Sequence, residues 1–206
     1  MTLSSATDPP APLVLDTSAL INLHASSLGR EILSALSNDI WIPAVILEEL
    51  ERTPERSAAE IAFLHDLVRL RLCRLAHMSE AELDTFGQLT AISPSLDDGE
   101  AGTIAIAASR SFIPVIDEQK GRARAANLAS PVIPAWSLDL FRNAQVIDGL
   151  GKVRVTEALF QALKIGRMRI PEIFADEVIM QIGLGRACEC TSLPNYRRRF
   201  KIRAVV

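Results

Sequence analysis

Four carboxylates recur at equivalent places in this chain, each beyond a short apolar run. Asp16 follows Leu13-Val14-Leu15, and Asp117 follows the run from Phe112 to Ile116, with Glu118 directly behind it. Glu49 lies two turns into the segment after Ile40-Trp41-Ile42-Pro43, and Glu100 lies in the first turn of "DDGEAGTIAIAASR". No histidine or cysteine holds such a place. In open parallel sheets, ligands bind beyond the carboxyl ends of the strands, so these acids are expected to share one crevice. Crowded carboxylates repel, and burying each one uncompensated costs several kcal/mol. A hard divalent cation removes that cost, because Mg²⁺ and Mn²⁺ favour oxygen ligands. Two such ions, about 3.5–4 Å apart, activate a water and stabilise the leaving oxygen of a phosphodiester. Thr17 and Ser18 would support Asp16 from behind.

Each acid also has a local explanation. Asp16 before "TSALINL" can cap a helix, and Asp117 can cap the helix behind it. Asp97 and Glu100 have the spacing of a capping box. Glu48, Glu49 and Glu51 can form a solvated face. The local explanations weaken when taken together, because every acid follows an apolar run in the same sense. The helical wheel separates Glu49 from Glu48. With the core stripe through Pro43, Ile46, Leu47 and Leu50, Glu48 points away and Glu49 sits at the margin beside Val45.

The elements that must position these side chains are short apolar strands alternating with helices. Strands are expected at 13–15, 40–43, 112–117 and 131–134, with an edge strand at 71–77. Helices are expected from Ser18 to Leu23, over 30–37, from Pro43 onward, and over 57–70, 79–89, 97–110 and 136–146, with a short polar one at 118–127. The small residues of 97–110 suit close packing on a sheet. This order predicts an α/β fold with a parallel sheet buried on both faces. Residues 1–12, polar and Pro-rich, read as a mobile arm. Beyond Gly149–Gly151 a helical hairpin is expected over 150–183, with a cap at Thr156, a stop at Gly166, a start at Pro171 and a stop at Gly183. It is too small to hold a core alone, so it must pack on the body or on a partner. Residues 184–206 read as a basic irregular tail.

Composition narrows the class. Half the residues are hydrophobic (49%), enough for a full core. The net charge is −3, so contact with nucleic acid must come from a local basic patch. Three cysteines, Cys73, Cys188 and Cys190, are too few for a disulfide scaffold, which points to a reducing cytoplasm. The cysteines lie far from His24, His65 and His77, which argues against structural zinc. No leader and no membrane-spanning run is read in the chain.

Four segments, "LVLDTSALINL", "IPAVILEEL", "LDDGEAGTIAIA" and "VIDEQKGRARA", together resemble the PIN-domain family, and within it the bacterial subfamily close to the VapC-type ribonuclease toxins. The resemblance covers residues 13–146 and extends to the hairpin at 150–183. It implies a three-layer α/β/α sandwich with strand order 3-2-1-4-5, which sets the Asp16 and Asp117 strands side by side. By motif position Asp16, Glu49, Glu100 and Asp117 match the family's acidic quartet, with Asp97 a helper ligand. The implied activity is Mg²⁺- or Mn²⁺-dependent endonucleolytic cleavage of RNA by an activated water, as in the toxin of a toxin–antitoxin pair. Single-stranded RNA, an antitoxin protein and a second copy of the chain are the partners this implies. Where the toxins carry Thr-x-Asp at the fourth motif, this chain has Val115 at the Thr position and the extra acid Glu118.

Lys120, Arg122 and Arg124, just after Asp117, read equally as a phosphate clamp or as a solvated helix face. The tail's five basic residues around Tyr196 and Phe200 read as an RNA-tracking segment or as a loose end. Phe160, Leu163, Ile173, Phe174 and Ile179 read as packing residues of the hairpin or as part of a dimer or antitoxin interface. Two other enzyme classes fail. A phosphoaspartyl phosphatase needs a second Asp two residues after Asp16, where Ser18 stands, and a dinucleotide fold needs glycines that "DTSALI" lacks. The rival outside enzymology is a catalytically silent PIN-like scaffold.

Overall fold

The computed structural model describes residues 10–52, 54–92, 95–128 and 131–200. Most of the expected N-terminal arm and the last six residues of the tail lie outside the described residues. Strands β1 (Leu13–Leu15), β2 (Ile40–Pro43), β3 (Arg74–Ala76) and β4 (Ile113–Val115) form one sheet in the order β3-β2-β1-β4. Every pairing is parallel, with Leu13 against Ile40 and Ile113, and Leu15 against Val115. The sheet is therefore the parallel one that the alternation of elements predicts, with the 71–77 segment at its edge.

The fifth strand expected at Pro131–Pro134 is not formed. Only Ala135 makes a parallel bridge, to Val115, through its N–H to Pro114 O (2.8 Å) and its carbonyl to Ile116 N (3.0 Å). Pro131 and Pro134 have no N–H to give to a ladder, so the segment cannot pair along its length.

Alternation along the strands sends side chains to two cores. Leu13, Leu15, Ile40 and Ile42 join a cluster with Ala19, Leu20 and Leu23 of helix α1 (Thr17–Ala25). Val14 faces the other way, onto Ile106 and Ala107 of a helix of small residues. The connecting helices are α2 (Gly29–Ala35), α3 (Ala44–Glu51), α4 (Pro54–Arg69), α5 (Glu80–Ala91), α6 (Asp98–Arg110), α7 (Gln119–Ala126), α8 (Ser137–Phe141) and α9 (Ala144–Leu150). α6 touches β1, β2 and β4. Gly102 lets α6 lie close to α3 and the end of β2, since a Cβ there would stand 3.0 Å from Val45 Cγ1 and 3.4 Å from Pro43 Cβ. Helices thus cover both faces of the sheet, the three-layer arrangement.

The hairpin helix α10 (Lys152–Lys164) starts four residues before the expected cap at Thr156. Gly151, at φ 82°, supplies the sharp turn out of α9, so the helix can begin at once. Thr156 lies inside the helix, where its Oγ1 accepts from Gln181 Nε2 (3.1 Å). Val155, Ala158, Leu159, Ala162 and Leu163 are buried in the same core as β1, and α10 packs on α1 and α9. Phe160 and Leu163 are therefore packing residues, whereas Ile173 is 82% exposed. A short 3₁₀ turn (Glu172–Phe174) precedes α11 (Ala175–Ile182), and Gly183 at φ 87° ends it.

Residues 184–200, expected to be irregular, contain α12 (Leu184–Ala187) and α13 (Tyr196–Arg199), with Ala187, Cys190 and Leu193 buried. Apolar residues spaced through a basic segment give it something to bury. Among the described residues no helix is long and apolar enough to cross a membrane.

Candidate metal centre

The end of β1 is tied to the end of β4 by one backbone bond, Asp16 N–H to Val115 O (3.2 Å). That bond makes Asp16 and Asp117 leave the sheet side by side. Asp16 also caps α1: Ala19 N–H donates to its Oδ1 (2.7 Å), and Ser18 Oγ donates to both carboxylate oxygens (2.9 and 2.8 Å). The local and the chemical explanations of Asp16 hold together, because a cap uses only some of the carboxylate's lone pairs. Burial pushes the Asp16 carboxyl well above the usual carboxylate range, and the charges of Asp117 and Glu100 push it further.

Asp117 does not cap the helix that follows it. Its Oδ1 accepts from Ser137 N–H (2.7 Å), at the start of α8, and its Oδ2 accepts from Asn22 Nδ2 (2.8 Å), on α1. Burial raises its pKa to about 6, against the lowering effect of the Ser137 bonds and the Arg122 charge.

Glu100 forms only half of the expected capping box. Asp97 Oδ1 accepts the Glu100 N–H (2.8 Å), which caps α6. The Glu100 side chain does not return the bond: both of its carboxylate oxygens are buried without a hydrogen-bond partner. Burial, then the charges of Asp97 and Glu118, push its pKa up to about 7, while Lys120 and Arg169 pull it down. Gly121 on α7 makes room for it, since a Cβ there would stand 2.8 Å from Glu100 Oε1.

Glu49 is half-buried and Glu48 exposed, as the helical wheel requires. Thr17 Oγ1 donates to Glu49 Oε2 (2.9 Å), so Thr17 serves Glu49, while Ser18 alone serves Asp16. Burial raises the Glu49 pKa, opposed by the Thr17 bond, and Asp97 and Asp98 raise it further. The structure thus sets Asp16 within the fields of Asp117 and Glu100 and sets Glu49 on the Asp97–Asp98 side.

Among the described residues no three His, Cys, Asp or Glu side chains stand close enough to hold one ion in this arrangement. The donor set nevertheless fits a hard cation. It is all oxygen, its carboxyls are all held above their ordinary values, and Glu100 carries two buried oxygens that nothing in the chain satisfies.

Of the three basic residues after Asp117, Arg122 is committed elsewhere. Its Nη1 donates to Ile116 O (2.9 Å) and Ala135 O (2.8 Å), its Nη2 donates to Pro134 O (2.8 Å), and its guanidinium stacks on Trp136 at 3.9 Å. Its donors fasten the 134–135 segment that stands in place of a fifth strand. Lys120 and Arg124 are half-buried on α7.

Sequence reasoning did not find Asn22, Ser137, Arg167 or Arg169. Asn22 left a signal, an amide set among Ala19, Leu20 and Leu23 on the apolar face of α1. The other three left none, because only the tertiary fold brings them near Asp117. A cavity of about 160 Å³ is lined by Ser18, Asn22, Asp117, Glu118, Arg167 and Arg169, with Gly166 and Met168.

No curated protein and no solved structure gave a match. The sequence profile described as PIN domain matches residues 12–184. That span runs from the residue before β1 to the residue after Gly183, which ends α11. A parallel sheet in the order 3-2-1-4, with acids at the ends of its two middle-to-edge strands β1 and β4, is consistent with that match, and the chain belongs to the PIN-domain family.

Proposed function

We propose that this PIN domain is a Mg²⁺- or Mn²⁺-dependent endoribonuclease that hydrolyses single-stranded RNA by an activated water. PIN domains are typically metal-dependent nucleases, and one observation supports the reading here. Glu100 buries two carboxylate oxygens with no partner, and its charge acts on Asp16, which Asp117 also acts on; all three carboxyls are held above their ordinary values. A fold does not keep such a group without compensation unless something outside the chain supplies it.

Asp16, Glu49, Glu100 and Asp117 would hold the ion, with Asp97 as helper and Glu118 adding charge. When bound, a divalent ion stabilises charge on the phosphate and lowers the pKa of the attacking water. The chain supplies orientation. Ser18 and the Ala19 amide fix Asp16, Asn22 and the Ser137 amide fix Asp117, and Thr17 fixes Glu49. Without a cation, Glu100 with its pKa of about 7 holds a proton much of the time at neutral pH, a proton it would give up on serving as a ligand.

The finer setting extends this reading: a VapC-like toxin acting in the cytoplasm and held by an antitoxin. It rests on the four sequence motifs. A small DNA-binding protein encoded in the neighbouring reading frame would support it. The test of the activity is cleavage of varied single-stranded RNAs with Mn²⁺ or Mg²⁺, expected in the wild type and lost in Asp16→Asn. The second reading is a silent scaffold, favoured by the absence of three ligating side chains at bonding distance among the described residues. It gains if no divalent ion binds by calorimetry and no RNA is cut.

A further inference from the structure

We infer that Arg167 and Arg169 form a binding site for the backbone phosphates of single-stranded RNA, facing Asp117 and Glu118 across the 160 Å³ cavity. This rests on the nuclease reading and names the residues that would seat its substrate.

The segment after α10 is built to present these two side chains. Residues 167–170 carry no helix and alternate in burial: Met168 (1% exposed) and Ile170 (5%) point into the core, while Arg167 and Arg169 are exposed. Both line the same cavity, with Arg167 turned by a left-handed backbone at φ 55°. The segment is seated by Met168 N–H on Ala162 O (3.1 Å). It is also seated by Gly166, where a Cβ would stand 2.7 Å from Asn22 Oδ1. Asn22 is the residue that donates to Asp117, so the glycine contact couples the arginine segment to the acidic side of the cavity.

The charges are available. Arg167 makes no ion pair or hydrogen bond among the described residues. Among the described residues Arg169 pairs with Glu118 alone, at 3.3 Å, and the side chains are 61% and 41% exposed. An exposed pair of this kind is weak and exchanges readily. Its charge also acts on Glu100, so Arg169 stands within the field of the acids. The chain as a whole is acidic, at −3, and its candidate centre is an excess of carboxylates. A polyanion can approach such a centre only past local cations. Arg122 is occupied by carbonyls. Arginine's planar fork is the side chain suited to phosphate oxygens.

The test is fluorescence anisotropy of a labelled single-stranded RNA oligonucleotide in EDTA, titrated with KCl between about 50 and 200 mM. The variants are Arg167→Gly, Arg169→Ala, the double variant, and Arg154→Ala as a remote charge control. Arg167→Gly is chosen because residue 167 sits at φ 55°, where glycine is unstrained and the fold is kept. Each site variant is expected to make the slope of log K against log [salt] shallower by about 0.7, with the double variant binding roughly tenfold more weakly at the lowest salt. Arg169→Lys should keep the slope, and Arg154→Ala should match wild type. A double variant with wild-type slope and affinity, in a protein whose wild type cuts RNA with Mn²⁺, overturns this inference alone. A wild type that neither binds nor cuts RNA overturns the nuclease reading with it.

Discussion

Thr17 Oγ1 donates to Glu49 Oε2 at 2.9 Å, across 32 residues of sequence. The bond joins the first turn of α1 to the second turn of α3 and fastens the glutamate that the helical wheel turns toward the acids. Thr17→Val is expected to cost about 1 kcal/mol of stability and to raise the Mn²⁺ concentration needed for half-maximal cleavage. Thr17→Ser should restore both, and a Mn²⁺ titration of cleavage with parallel thermal melts checks it.

The same contact leaves no room at Gly99. A Cβ there would stand 2.1 Å from Thr17 Oγ1 and 3.1 Å from Glu49 Oε2. Gly99→Ala should therefore force the Thr17–Glu49 pair apart, lowering the melting temperature and weakening metal dependence more than Thr17→Val does. A Gly99→Ala protein with wild-type melting and cleavage would contradict the packing described here.

Asp16→Asn separates capping from chemistry. Asparagine caps a helix as well as aspartate does, and the substitution removes a charge that is held uncomfortably. The metal-free variant should melt at or above the wild-type temperature while cleavage falls by about 10²–10³, the scale of losing one preorganised electrostatic contact. A paired loss of folding and activity would instead make Asp16 a structural residue only.

The raised pKa values set a sign for the metal-free protein. Glu100 lies at about 7 against its ordinary 4.5, and Asp117 at about 6 against 3.8. The folded state holds these protons more tightly than the unfolded chain. The contribution of these two groups to stability is therefore full below about pH 4 and is lost as pH rises through about 7. At about 1.4 kcal/mol for each pH unit between folded and unfolded values, the loss is on the order of 3 kcal/mol for each group. Melts in EDTA between these limits should show it, and saturating Mn²⁺ should recover roughly 3 kcal/mol at neutral pH when present at about a hundredfold over its Kd.

Arg122→Ala should destabilise by about 3 kcal/mol, because the guanidinium satisfies three backbone carbonyls. The salt dependence of RNA binding should be unchanged. A shallower salt slope in this variant would restore Arg122 to the phosphate clamp.

The acids were legible in the sequence because each is placed by local rules. A strand end, a helix cap and a wheel position locate Asp16, Asp97, Glu100, Asp117 and Glu49 without knowledge of the fold. The parallel sheet was legible for the same kind of reason, from short apolar runs alternating with helical periodicity. The missing fifth strand was written in Pro131 and Pro134, whose absent N–H groups outweigh the apolar pattern of the run. The start of α10 was misplaced because Gly151 turns the chain sharply enough to begin a helix without a capping side chain.

Long-range pairing alone decided the rest. That Thr17 serves Glu49, that Asn22 and the Ser137 amide hold Asp117, and that Arg122 is spent on carbonyls all depend on partners brought together by packing. Arg167 and Arg169 reach the acidic cavity only because α10 lies on α1 and Gly166 closes on Asn22. Sequence spacing determines which residues an element displays, since helix and strand periods are local. Which displayed residues meet is set by the approach of elements distant in the chain, and that is fixed only when the common core closes.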